Sequence, residues 1–92
     1  MKAAVTRQEI SDMFEEMGTD VLLMDGFEDA FIGHSQRINE PVLAVYSRAR
    51  MVEVLMSRDG MTDDEAEEFI EYNCVGAWVG EQTPIIVNDF LV

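Results

Sequence analysis

The sequence predicts an α+β domain: a small, mostly antiparallel sheet of three to four strands, helices packed on one face, and an extra helix at the N-terminus. Three observations lead there. Two capping boxes, Thr6 with Glu9 and Thr62 with Glu65, stand directly ahead of apolar residues at helical spacing. Short apolar runs with branched or aromatic residues, at residues 30–35, 42–46 and 84–87, are bounded by turn residues and read as strands. With 92 residues, 48% of them hydrophobic and 27% charged, the chain supports one core and little more. We therefore expect a single domain over residues 1–92, with residues 1–20 as an N-terminal helical extension and 21–92 as the core.

The elements follow in order. After Thr6, the residues Ile10, Met13, Phe14 and Met17 make one apolar stripe, and Gly18 stops a helix over about residues 7–17. Val21–Met24 is a strand or an extended connection ending at the Asp25-Gly26 turn. The runs 30–35 and 42–46 form a hairpin with a loop longer than two residues, and Pro41 sits where no ladder donor is needed. Strand alternation puts His34 with Ile32, on the face opposite Phe31. Ser47 caps a second helix that buries Met51, Val52, Leu55 and Met56 and stops at Asp59-Gly60. Thr62 caps a third, with Ala66, Phe69, Ile70 and Asn73 on one face, ending by Gly76. The short joint at Gly60-Met61 makes these two a hairpin or an angled pair. Pro84–Val87 is the last strand.

Charge excludes more than it assigns. Nineteen acids against six bases leave a net charge of −13. Such a field repels phosphate backbones and anionic bilayers, so neither direct nucleic-acid binding nor membrane binding is expected. A basic protein surface is the partner it attracts; the plainer use of the charge is solubility. No apolar run approaches the roughly 18–20 residues of a spanning helix, and the start turns polar at Lys2, so a soluble intracellular protein is expected.

The catalytic and metal motifs fail on their spacing. One cysteine, Cys74, excludes an internal disulfide and a multi-thiolate zinc site, and its neighbours Glu71 and Glu81 disfavour a thiolate. His34 is the single histidine, without a sequence partner that marks it as a general base. Aligning Gly60 with the invariant glycine of a calcium loop puts Leu55 and Ala66 at ligand positions, so that loop is excluded. Gly76-Ala77-Trp78-Val79-Gly80 lacks the third glycine of a dinucleotide fingerprint. There Trp78 either folds back on the core or serves as an exposed recognition anchor. No catalytic residue, metal ligand or cofactor is expected, and the chain reads as a non-enzyme.

The third helix is the informative segment. Asp63, Asp64, Glu65, Glu67, Glu68 and Glu71 place six acids in nine residues. The first three lie in the first turn, where the helix dipole favours negative charge. Glu67, Glu68 and Glu71 lie beyond it, and like-charge pairs at helical spacing each cost about 0.2–0.5 kcal/mol. Such a face is solvated, or offset by the arginines of the second helix, or kept to bind a basic partner. The candidate partner-binding residues are Asp63, Asp64, Glu67, Glu68, Glu71 and Trp78.

Three runs also carry a resemblance: Asp25-Gly26-Phe27-Glu28-Asp29-Ala30-Phe31-Ile32-Gly33, Gly60-Met61-Thr62-Asp63-Asp64-Glu65-Ala66, and Gly76-Ala77-Trp78-Val79-Gly80-Glu81-Gln82-Thr83-Pro84. In this order they resemble a family of small uncharacterised proteins of tailed bacteriophages, over about Asp25 to Val87. The family has no assigned activity, so no functional residue carries over. The resemblance implies a small viral accessory protein in the cytoplasm of a bacterial host. The leading expectation is thus an acidic accessory protein that binds a host protein through an acidic helix face, as an inhibitor or nucleic-acid mimic. The alternative is a structural or self-associating component of a viral assembly. Its adaptable apolar surface would come from the seven methionines with Trp78, Phe90 and Leu91, making a homo-oligomer.

Overall fold

The computed structural model describes residues 6–77 and 79–89. Of the apolar contact residues expected above, Trp78, Phe90, Leu91 and one of the seven methionines, Met1, lie outside the described residues. The architecture is α+β, as expected. In chain order it comprises α1 (Arg7–Glu16), a 3-10 turn (Glu28–Ala30), β1 (Phe31–His34), β2 (Ala44–Ser47), α2 (Arg48–Asp59), α3 (Asp63–Ile70) and β3 (Ile85–Val87). A single π-helical turn, Glu71–Val75, extends α3.

Both capping boxes form. In α1 the Glu9 amide donates to Thr6 Oγ1 at 3.2 Å and the Thr6 amide to Glu9 Oε1 at 2.8 Å. Thr62 and Glu65 repeat the exchange at 3.2 and 2.9 Å. These bonds satisfy amides that a helix start otherwise leaves without partners. The apolar stripe of α1 is narrower than expected: Ile10 and Phe14 are buried, while Met17, one residue past the helix, is exposed. Val21–Met24 forms no strand. It is an extended connection tied to the sheet by the Met24 amide, which donates to the Tyr46 hydroxyl at 2.9 Å.

The sheet order is β1-β2-β3. β1 and β2 are antiparallel, with Phe31 opposite Tyr46, Gly33 opposite Val45 and His34 opposite Ala44. Ile32 is the extra residue of a bulge, and Gly33 follows with φ +155°, a backbone state that side-chain-bearing residues rarely adopt. The bulge corrects the expected facing of His34. Two residues of β1 stand against one step of β2, so Phe31 and His34 share a face. The Phe14 ring meets both edge-on, at centroid distances of 6.1 and 5.8 Å.

β3 pairs with β2 in parallel, Val45 opposite Ile85 and Ser47 opposite Val87. The sheet is therefore mixed rather than mostly antiparallel. The cause is the crossover: α2 and α3 together carry the chain back to the end from which β2 started, and a strand entered there must run alongside it. The core lies between the Ala44/Tyr46 face and these helices. It joins Phe27, Ala30, Ala44, Tyr46, Met51, Val52, Leu55, Ala66 and Ile70. Two expected core positions are displaced. Met56 is exposed while Val54 packs on the core, and Asn73 is exposed while Cys74, four residues after Ile70, takes the inward place.

Candidate acidic interface

Burial of Ala66 and Ile70 fixes how α3 is rotated, and that rotation sorts its acids onto two flanks. Glu67 and Glu71, four residues apart, face α2. Asp64 and Glu68, also four apart, face away, with Asp63 in the first turn.

The α2 flank is neutralised within the molecule. Arg48, its side chain only 17% exposed, donates from Nε to Glu67 Oε1 and from Nη1 to Glu71 Oε2, each at 2.7 Å. Nη1 also reaches Asn88 Oδ1 at 3.3 Å, just beyond β3. The bonds to Glu71 and then Glu67 hold the Arg48 guanidinium above its usual range. One cation thus removes the repulsion between two carboxylates that share a flank at helical spacing.

Arg48 stands in the first turn of α2, a poor place for a cation beside the helix dipole. Asp89 offsets this. Its Oδ1 accepts from the Ala49 amide at 3.1 Å and its Oδ2 from the Ser47 hydroxyl at 2.8 Å, while Ser47 Oγ accepts from the Arg50 amide at 3.2 Å. Burial pushes the Asp89 carboxyl up, but hydrogen bonds from the Ala49 amide, the Ser47 hydroxyl and the backbone amides of Asp89 and Arg48 together hold the carboxyl below the usual range. Sequence reasoning missed Asp89, because only the parallel seating of β3 carries it across to α2.

Arg58 is also engaged. It bonds Gly26 O at 2.7 Å and both carboxylate oxygens of Asp59 at 3.0 Å, and lies over the Phe27 ring at 5.8 Å. Gly26 has φ +85°, a backbone state that favours glycine, and a Cβ there would sit 2.8 Å from Arg58 Nη1, so the arginine's flexible end would have to shift.

Asp63, Asp64 and Glu68 have no cationic partner among the described residues. Of the expected binding residues, Asp64 and Glu68 lie together on the outward side of α3, while Asp63, four residues before Glu67, is exposed at the start of that flank. Glu67 and Glu71 turn inward to Arg48, and Trp78 lies outside the described residues. Glu65 stands three and four residues before Glu68 and Phe69, and Tyr72 four and three after them, so the four lie side by side on the helix. With Asp59 and Met61 they line an open groove of about 670 Å³.

The remaining candidates take quieter places. His34 is exposed and its ring packs on Phe14. Burial pushes the Cys74 thiol up, away from thiolate reactivity. Among the described residues no group of three or more His, Cys, Asp or Glu side chains is placed to hold a metal ion, and no helix is long and apolar enough to cross a membrane. Comparison with known proteins adds nothing to this geometry: no family model, curated protein or solved structure matches the chain.

Proposed function

We propose that this domain is a non-catalytic binding module that engages a basic surface of a partner protein through the open acidic side of α3. The observation that carries the reading is the division of the acids: Glu67 and Glu71 are matched by Arg48, while Asp63, Asp64 and Glu68 are exposed and have no cationic partner among the described residues. Unmatched like charges on a folded surface cost stability, and a basic partner would recover that cost on binding. The net charge of −13 would speed encounter with such a partner and make the association sensitive to salt. A partner in a bacterial host, with inhibition or imitation of nucleic acid as the mode of action, is the form the reading takes if the resemblance proposed for Asp25–Val87 to small tailed-phage proteins holds.

The test is capture from a bacterial lysate at low and at high salt, with two variant proteins. Asp63→Asn/Asp64→Asn/Glu68→Gln removes the open acids; Glu67→Gln/Glu71→Gln removes the pair matched by Arg48. The expected result is one retained basic protein, lost at high salt and in the first variant, kept in the second. Retention indifferent to the open acids would overturn the reading.

A second reading, self-association, is favoured by the outer face of the sheet, where Ile32, Ile85 and Val87 are exposed. Light scattering at micromolar concentration separates the two, because a self-assembling component would not remain a monomer there.

A further inference from the structure

The groove beside Glu68 points to more than charge. Its floor is apolar: Met61 and Phe69 are half-buried against the core, so both are held in place. One wall is Tyr72, which is 79% exposed and makes no side-chain hydrogen bond among the described residues. Tyr72 stands four residues after Glu68 and three after Phe69, so an aromatic face, a carboxylate and an apolar floor lie side by side. Among the described residues no lysine or arginine lines the groove. Its other carboxylates are already held: Asp59 by Arg58, and Glu65 by the Thr62 amide. Glu68 has no such partner among the described residues.

We propose, resting on the acidic-interface reading above, that this groove docks a basic amphipathic helix of the partner. Such a helix would set an apolar side chain on Met61 and Phe69 and a lysine or arginine against Glu68 and the Tyr72 ring. Charge complementarity selects this occupant. A second copy of this acidic chain would bring like charge to the rim, and a purely apolar segment would leave Glu68 unmatched. A basic helix satisfies floor and rim together, as in the general helix-in-groove mode of recognition. The cation over Tyr72 adds the attraction of a positive charge for an aromatic face.

The probe is a fluorescein-labelled synthetic helix of about 18 leucines and lysines in amphipathic order, with a scrambled peptide of the same composition. Anisotropy titrations should show tighter binding of the amphipathic peptide. Tyr72→Ala and Glu68→Gln should each weaken it by roughly three- to tenfold, and Glu67→Gln/Glu71→Gln by less than twofold. Backbone amide shifts on titration should centre on Met61, Phe69 and Tyr72, which locates the peptide independently of the variants. Equal binding of both peptides, lost with the open acids but indifferent to Tyr72, would overturn the groove and leave the electrostatic interface standing. If neither peptide binds while the lysate partner is still captured through the open acids, the groove alone is again overturned. If both peptide binding and capture fail, the interface reading falls with it.

Discussion

At the scale of single residues, three polar side chains hold the ends of the fold in place. Tyr46 is buried, and its hydroxyl accepts from the Met24 amide, pinning the extended connection after α1 to the sheet. Tyr46→Phe leaves that amide unmatched and should cost about 1–2 kcal/mol in urea denaturation. Arg48→Met leaves Glu67 and Glu71 facing each other across one helical turn. The pair is partly solvated, so the expected loss is about 1 kcal/mol, with neutralisation of Glu67 and Glu71 in the same variant restoring part of it. Asp89 couples the fold to acid. Its folded carboxyl titrates below the usual range, so the unfolded chain takes up its proton first. The stabilisation is complete above the ordinary carboxylate range and is lost as pH falls through the lower folded value. Denaturation of the protein and of Asp89→Asn between pH 6 and about pH 3 should therefore show the gap between them closing in acid. A gap constant with pH would mean that Asp89 is not the coupled group.

At the scale of elements, the bulge in β1 decides how α1 attaches. By turning His34 to the side of Phe31, it gives the Phe14 ring two partners in place of one. Phe31 passes the contact on to the buried Tyr46 ring, at 5.7 Å. Gly33→Ala strains the backbone at φ +155° and should cost about 1–3 kcal/mol. It should also shift the Phe14 ring resonances, because the facing of His34 is lost. Phe14→Ala removes the anchor itself, at about 3 kcal/mol. Circular dichroism would then show whether α1 frays while α2 and α3 keep their signal. The local signals were legible in the sequence here: both capping boxes and the Ser47 cap depend on residues three apart and formed as expected. The bulge was not legible. Alternation assigns faces only while the ladder is regular, and a single inserted residue inverts every assignment after it.

At the scale of the whole molecule, the net charge of −13 sets a self-repulsion that the few ion pairs do not balance. Salt screens both, but repulsion among many unmatched acids outweighs the loss of attraction at a handful of partly exposed pairs. The melting temperature should therefore rise between 10 mM and about 0.5 M sodium chloride, and a fall would mean that the Arg48 cluster dominates. The same arithmetic bears on function. Acidity was plain from composition, but which acids are available to a partner was not. Glu67, Glu68 and Glu71 look equivalent in the sequence; the rotation of α3 sends the first and last to Arg48 and leaves Glu68 outside. Tyr72 gained its place beside the groove in the same way, being merely one aromatic residue in the string until Ala66 and Ile70 set the outward side of the helix.

By itself, the sequence determined the α+β class, the helix starts, the hairpin and the excess of negative charge. Each is written in neighbouring residues or in composition, and none needs knowledge of what lies across the core. Only the tertiary structure decided the parallel seating of β3, the shared face of Phe31 and His34, the clamp of Arg48 on Glu67 and Glu71, and the reach of Asp89 to the start of α2. Each of these joins residues far apart in the chain. Their pairing depends on how the crossover closes and how the helices rotate as the apolar core is buried.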